Sequence, residues 1–143
     1  MIESSVGSSP KLLGAPRSAY LPNDWTISVL DDDASLRDAL KGLLRSAGLR
    51  AEVFASAEEF LNSGRLRATR CLILDVRMPG MSGMELQEWL IASDSVVPIV
   101  FISAHSDDDA RALALERGAV DFLTKPFSDD ALLSAVMKAA ALT

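Results

Sequence analysis

At 143 residues and 49% apolar content, the chain can bury one sizeable core and is too short for two full-sized domains. Its formal charge of −6, from 20 acids against 14 Lys and Arg, argues against direct nucleic-acid contact, because phosphate binding needs a clustered basic excess. Cys71 is the lone cysteine, so an intramolecular disulfide is excluded; no apolar run has the length of a membrane span, and a reducing cytoplasm is the expected compartment.

Residues 1–24 are rich in Ser, Gly and Pro and carry no helical or strand period, which predicts a mobile leader. Glu3 and Asp24 cancel Lys11 and Arg17 there, so the acidic excess belongs to residues 25–143, the expected folded domain. Thr26 to Leu30 reads as a strand, followed by a helix with Leu36, Leu40, Leu43 and Leu44 inward and an end near Gly48. Arg50 to Phe54 alternates as a second strand, and Ser56 followed by Glu59 predicts a capping box for the next helix. Cys71 to Leu74 is apolar throughout, as a parallel strand buried on both faces should be, with Cys71 as core filler.

After the turn formers Met78-Pro79-Gly80 and Ser82-Gly83 comes a third helix, with Leu86, Trp89 and Leu90 on one side. Pro98 to Ile102 predicts a fourth strand, about Asp107 to Arg117 a fourth helix, and Ala119 to Leu123 a fifth strand. Residues 128–141 form the last helix, with Leu132, Leu133, Val136, Met137 and Ala140 inward. Five strands alternating with five helices predict an α/β fold: one parallel sheet covered on both faces. In such open sheets ligands gather beyond the carboxyl ends of the strands.

Those ends carry the chemistry. Asp31 and Asp32 follow the first strand and Asp75 ends the third; in a sheet of order 2-1-3-4-5 these strands are neighbours. Three carboxylates at about 5 Å and an effective dielectric of about 20 repel by roughly 3 kcal/mol per pair. A hard divalent cation relieves this, and Mg2+ takes oxygen ligands while keeping room for phosphate oxygens. Ser103 after the fourth strand offers a hydroxyl, and Lys125 after the fifth offers a point charge for a phosphoryl oxygen. Asp75 can then act as nucleophile and carry a phosphoryl group as an acyl phosphate. The second acidic triplet, Asp107 to Asp109, falls in a helix's opening turn, where free N–H groups and the macrodipole favour acids. Asp33 and Asp129-Asp130 read the same way. His105 reads as a solvated loop residue, and Trp25, Trp89 and the phenylalanines other than Phe122 as packing.

The segments V29-L-D-D-D-A-S-L-R37, L74-D-V-R-M-P-G-M-S-G-M-E-L86, I102-S-A104 and D121-F-L-T-K-P-F127, in this order and each at a strand's end, resemble a bacterial response-regulator receiver domain. The texture of S56-A-E-E-F-L61 and G118-A-V-D-F-L-T-K-P-F127 is similar to the nitrogen-fixation regulators, whose members usually carry a LuxR-type output domain, absent from this chain.

The resemblance implies a CheY-like, flavodoxin-type fold and a signalling domain rather than an enzyme, with Asp75 phosphorylated by a histidine kinase or a histidine phosphotransfer protein. It implies Mg2+ on Asp31, Asp32, Asp75 and the backbone carbonyl of Arg77, and Lys125 as the phosphate-binding lysine. Ser103 and Phe122 take the switch positions, and Lys125-Pro126 is a cis peptide. Switching would bias the face made by the fourth helix, fifth strand and fifth helix, which docks a downstream target or output domain and supports phosphorylation-dependent homodimers. Arg77 and His105, two residues past Asp75 and Ser103, would set the phosphate's lifetime. Two rivals are a haloacid-dehalogenase-like phosphatase using Asp31-x-Asp33 and a phosphorylation-independent interaction module; the first leaves Asp75 unexplained, the second the intact acids and Lys125.

Overall fold

The computed structural model describes residues 26–104 and 107–141. The leader, Trp25 and His105 lie outside the described residues. In chain order the elements are β1 (Thr26–Leu30), α1 (Ala34–Ser46), β2 (Ala51–Phe54), α2 (Ala57–Ser63), a 3-10 turn (Leu66–Ala68), β3 (Thr69–Asp75), α3 (Gly83–Ala92), β4 (Ile99–Ser103), α4 (Asp108–Glu116), β5 (Asp121–Thr124) and α5 (Asp129–Ala140). The five strands form one sheet of order β2-β1-β3-β4-β5, every pair parallel, as predicted.

Alternation along the strands divides the core in two. Cys71 and Ile73 of β3 join Ile27, Val29, Val100 and Ile102 against Leu40 and Leu44 of α1 and Leu132, Ala135, Val136 and Ala139 of α5. Leu72 and Leu74 join Leu30, Phe101 and Phe122 against Phe60 of α2, Leu86 and Leu90 of α3, and Ala114 of α4. Each fully buried Leu, Ile or Phe contributes about 1.5–3 kcal/mol relative to exposure. Cys71 is fully buried, and burial pushes its thiol up to about 12, as core filler should be.

The helices start as the acids and serines predict. Asp33 caps α1 by accepting from the N–H groups of Ser35 and Leu36, at 2.9 and 3.3 Å. Asp107 caps α4 through Ala110 N–H at 3.0 Å, and Ser128 caps α5 through Ala131 N–H at 3.0 Å. Such caps are worth about 1 kcal/mol each.

Several expectations change in detail. Ser56 caps α2, but Glu59 accepts from Ala55 N–H at 2.7 Å, one residue before the cap, so the box is not reciprocal. The reciprocal capping box is Ser82 with Glu85, at the start of α3. Met137 is 55% exposed rather than inward, because the buried stripe of α5 runs through Leu132, Ala135, Val136 and Ala139, and Met137 lies one residue past it. On α3 the inward place is taken by Gln87, 1% exposed with its Nε2 donating to Ala114 O at 3.0 Å, whereas Trp89 is 42% exposed. No helix of the described residues is long and apolar enough to cross a membrane.

Candidate functional site

The register sets the acids side by side. Leu30 pairs with Leu74, so Asp31 and Asp75 are the next residues on neighbouring strands at the carboxyl edge. Ser103 pairs with Thr124, so Lys125 leaves β5 directly beside the end of β4. The edge therefore gathers five residues that the sequence spreads from 31 to 125.

Asp31, Asp32 and Asp75 each turn one carboxylate oxygen to a common point, all within 4.8 Å of one another. Asp31 is fully buried and Asp75 6% exposed, while Asp32 is exposed. Lys125 Nζ lies 2.9 Å from Asp31 Oδ2 and 3.8 Å from Asp75 Oδ2. One ammonium thus faces three acids. Asp75 has its pKa pushed up to about 6, chiefly by burial and then by the charge of Asp31. Lys125 and the Arg77 N–H, which donates to Asp75 Oδ1 at 3.3 Å, oppose the rise, and Asp32 adds to it. An all-oxygen donor set with uncompensated negative charge suits a hard divalent cation such as Mg2+.

Backbone contacts hold this geometry. Asp31 Oδ1 accepts from Asp33 N–H at 2.8 Å, and Arg37 of α1 reaches back to donate to Asp31 O at 2.8 Å. Gly83, the first residue of α3, packs directly on the backbone of Asp75: a Cβ there would overlap the Asp75 carbonyl oxygen and sit 3.1 Å from Leu74 Cγ. Gly80 has φ 77°, so it meets the expectation of a positive-φ turn residue, but Gly83 is needed for close approach instead. Glu58 of α2 fixes the intervening loop by accepting from Met81 N–H at 2.9 Å, a bond that holds its carboxyl below the usual range.

The remaining expected residues fall around this cluster. Ser103 is 1% exposed at the end of β4, and its carbonyl accepts from Lys125 N–H at 2.7 Å. Lys125-Pro126 is cis. A hollow of about 380 Å³ lined by Asp33, Leu36, Ala104, Lys125, Pro126 and Phe127 shares Lys125 with the cluster. A larger hollow of about 690 Å³, lined by Thr26, Arg45, Arg50 and Arg65 among others, lies away from these acids. Phe122 is 2% exposed, its ring centroid 6.1 Å from that of Phe101. Asp33, the second acid of the rival Asp-x-Asp motif, is spent on capping α1 and is absent from the cluster.

Three side-chain contacts escaped the sequence reading. Arg77 pairs with Asp107 at 2.6 Å, so the second triplet reaches the rim of the site as well as capping α4. Arg111 of α4 donates to Phe122 O at 2.8 Å with its guanidinium carbon 5.8 Å from the Phe122 ring centroid. Arg37 is the third. Arg37 and Arg111 each stand fourth in a helix, where a cation opposes the macrodipole and so implies a partner elsewhere.

A doubly covered 2-1-3-4-5 sheet whose carboxyl edge groups three Asp with a Lys is the architecture of a receiver-type signalling domain. Residues 27–137 match the response regulator receiver domain family model, and the chain belongs to that family. Among similar proteins, the response regulator protein TodT of Pseudomonas putida is 49% identical over 113 residues, covering 79% of this chain and 50% of its own length. The transcriptional regulatory protein FixJ of Bradyrhizobium diazoefficiens is 42% identical over 113 residues, covering 79% of this chain and 55% of its own. The structure of the response regulator StyR superposes with a TM-score of 0.77 at 50% identity, over 82% of this chain and 59% of that one. The crystal structure of FixJ-N gives 0.75 at 33% identity, over 85% of this chain and 98% of that one. The chain spans about half the length of the curated relatives it matches. Receiver domains are signalling domains, phosphorylated by histidine kinases and linked to output domains, and they bind Mg2+ at an acidic cluster of this kind.

Proposed function

We propose that Asp75 is the phosphoacceptor of this chain, taking a phosphoryl group from the phosphohistidine of a sensor kinase or histidine phosphotransfer protein. The observation that carries this is the convergence of Asp31, Asp32 and Asp75 oxygens within 4.8 Å, with Lys125 Nζ bridging Asp31 and Asp75. An Asp75 carboxylate oxygen attacks phosphorus as the P–N bond breaks, the electron pair leaving with the imidazole nitrogen, and an acyl phosphate results. Asp31, Asp32, Asp75 and the Arg77 carbonyl would hold Mg2+, which would supply the positive charge that offsets the acids and the phosphoryl oxygens. Lys125, already between two carboxylates, shifts its ammonium toward a phosphoryl oxygen, and the Ser103 hydroxyl donates to another.

In this reading residues 25–143 act as one cytoplasmic receiver unit. Ser103 and Phe122 couple the phosphoryl group to the face made by α4, β5 and α5, where a downstream protein, an output domain or a second copy docks. Arg77 and His105 govern how long the acyl phosphate lasts. The chain performs its own phosphotransfer and autodephosphorylation and turns over no separate substrate.

Acetyl phosphate with Mg2+ should add one phosphoryl group, read by intact mass, to the wild type and none to Asp75→Asn or to the wild type in EDTA. An adduct that persists in Asp75→Asn, or that forms equally well in EDTA, would sink the assignment.

A further inference from the structure

Among the described helices, α4 is the least anchored by apolar burial. It buries one apolar side chain, Ala114, where α1, α2 and α3 each bury two and α5 five. Its position is decided by polar contacts: Arg77 with Asp107 at its start, Arg111 on Phe122 O, Gln87 on Ala114 O, and Arg117 with Glu88 at 3.7 Å near its end. An element held this way opens at low free-energy cost and is easily biased.

The first of these contacts comes from the site itself. The Arg77 N–H bonds Asp75 Oδ1, so the residue's backbone is fixed at the acceptor, while its side chain is 64% exposed and free to choose between anions in reach. Asp107 divides its two oxygens: Oδ1 caps α4 through Ala110 N–H and Oδ2 takes the guanidinium of Arg77. A phosphoryl group on Asp75 would place a second, more highly charged anion beside the same guanidinium, and Arg is suited to phosphate oxygens.

We infer that the Arg77–Asp107 ion pair is a tether that holds the start of α4 to the acceptor loop, and that a phosphoryl group on Asp75 competes for Arg77 and releases it. The inference rests on the phosphoacceptor reading and adds a route to α4 that does not pass through Ser103 or Phe122. Asp107 is a positioning residue in this scheme.

The test separates the pair from the cap. Asp107→Asn keeps an N-cap of equal quality and loses the ion pair, and Arg77→Gln breaks the same pair while leaving the cap untouched. Hydrogen exchange of peptides from residues 108–117 is measured for the wild type, both single variants and the double variant. Each is measured with and without acetyl phosphate and Mg2+, and intact mass reports the adduct separately. Unphosphorylated Asp107→Asn and Arg77→Gln should each exchange about two- to five-fold faster than the wild type, the range expected for an exposed ion pair, and the double variant no faster. Phosphorylation should bring the wild type at least to that level and speed Asp107→Asn by less, since that variant keeps only the route through Ser103 and Phe122. If α4 exchanges alike in the wild type and both single variants, or if phosphorylation speeds Asp107→Asn as much as the wild type, the tether is refuted. A wild type that takes no phosphoryl group removes the competitor and overturns both readings, and the mass alone identifies that case.

Discussion

Asp75 sits under two opposing demands, since burial and its acidic neighbours favour the proton while metal binding and nucleophilic attack need the carboxylate. Its pKa near 6, against 3.8 for a free aspartate, fixes the sign of a pH effect. Between about pH 4 and pH 6 the folded chain holds a proton at Asp75 that the unfolded chain has lost, so stability falls as pH rises through this window. Above about pH 6 the full cost of the buried charge is present. In metal-free buffer, Asp75→Asn should therefore melt higher than the wild type at pH 7.5, with the difference shrinking toward zero near pH 4, as followed by thermal unfolding across that range. Residues at strand ends, Asp31, Asp32, Asp75, Ser103 and Lys125, were legible because strand periodicity alone locates the carboxyl edge. The pairing of Arg77 with Asp107 was not, since a bond between residues 30 apart through two loops leaves no periodic trace.

At the scale of elements, helix starts do most of the positioning. Caps at Asp33, Ser82, Asp107 and Ser128 fix where α1, α3, α4 and α5 begin, and Arg37 and Arg111 then bond the carbonyls of Asp31, just past β1, and of Phe122, within β5. The start of α3 is the tightest of these junctions, because Gly83 rests on the carbonyl of Asp75. Gly83→Ala should destabilise the fold by about 1–3 kcal/mol through forced displacement of backbone, measured by urea unfolding, and should also slow adduct formation from acetyl phosphate. A variant as stable and as readily phosphorylated as the wild type would show that the junction yields freely. The caps at Asp33, Asp107 and Ser128 were readable from residue type, whereas Ser82 was read only as a turn former and the inward faces of α3 and α5 were read too broadly. Trp89 and Met137 are large and apolar, yet the buried positions go to Gln87, bonded to Ala114 O of α4, and to Ala139, packed in the core against the sheet.

For the whole molecule, the alternating apolar strands made the doubly covered sheet legible, since only a parallel sheet buried on both faces spends Leu72, Ile73 and Leu74 in succession on two cores. The same sheet makes the acidic edge a load on global stability that a cation should lift. Mg2+ at 100 times its dissociation constant should raise unfolding free energy by about 2.7 kcal/mol at pH 7.5 if the unfolded chain does not bind it. Thermal unfolding should show the gain in the wild type, a smaller one in Asp75→Asn, and none with EDTA. Equal gains in both proteins would place the ion elsewhere.

The contact between Lys125 and Asp31 joins residues 94 apart, across the first and last strands of the chain. A polypeptide emerging from the ribosome has its first acids long before it has this lysine. The half-made chain thus presents carboxylates with no ammonium to set against them, and the complete site arises only when the fifth strand has been synthesised and laid against the fourth. On the phosphoacceptor reading, a product that stops before Lys125 carries the acids without their cation and would stay silent.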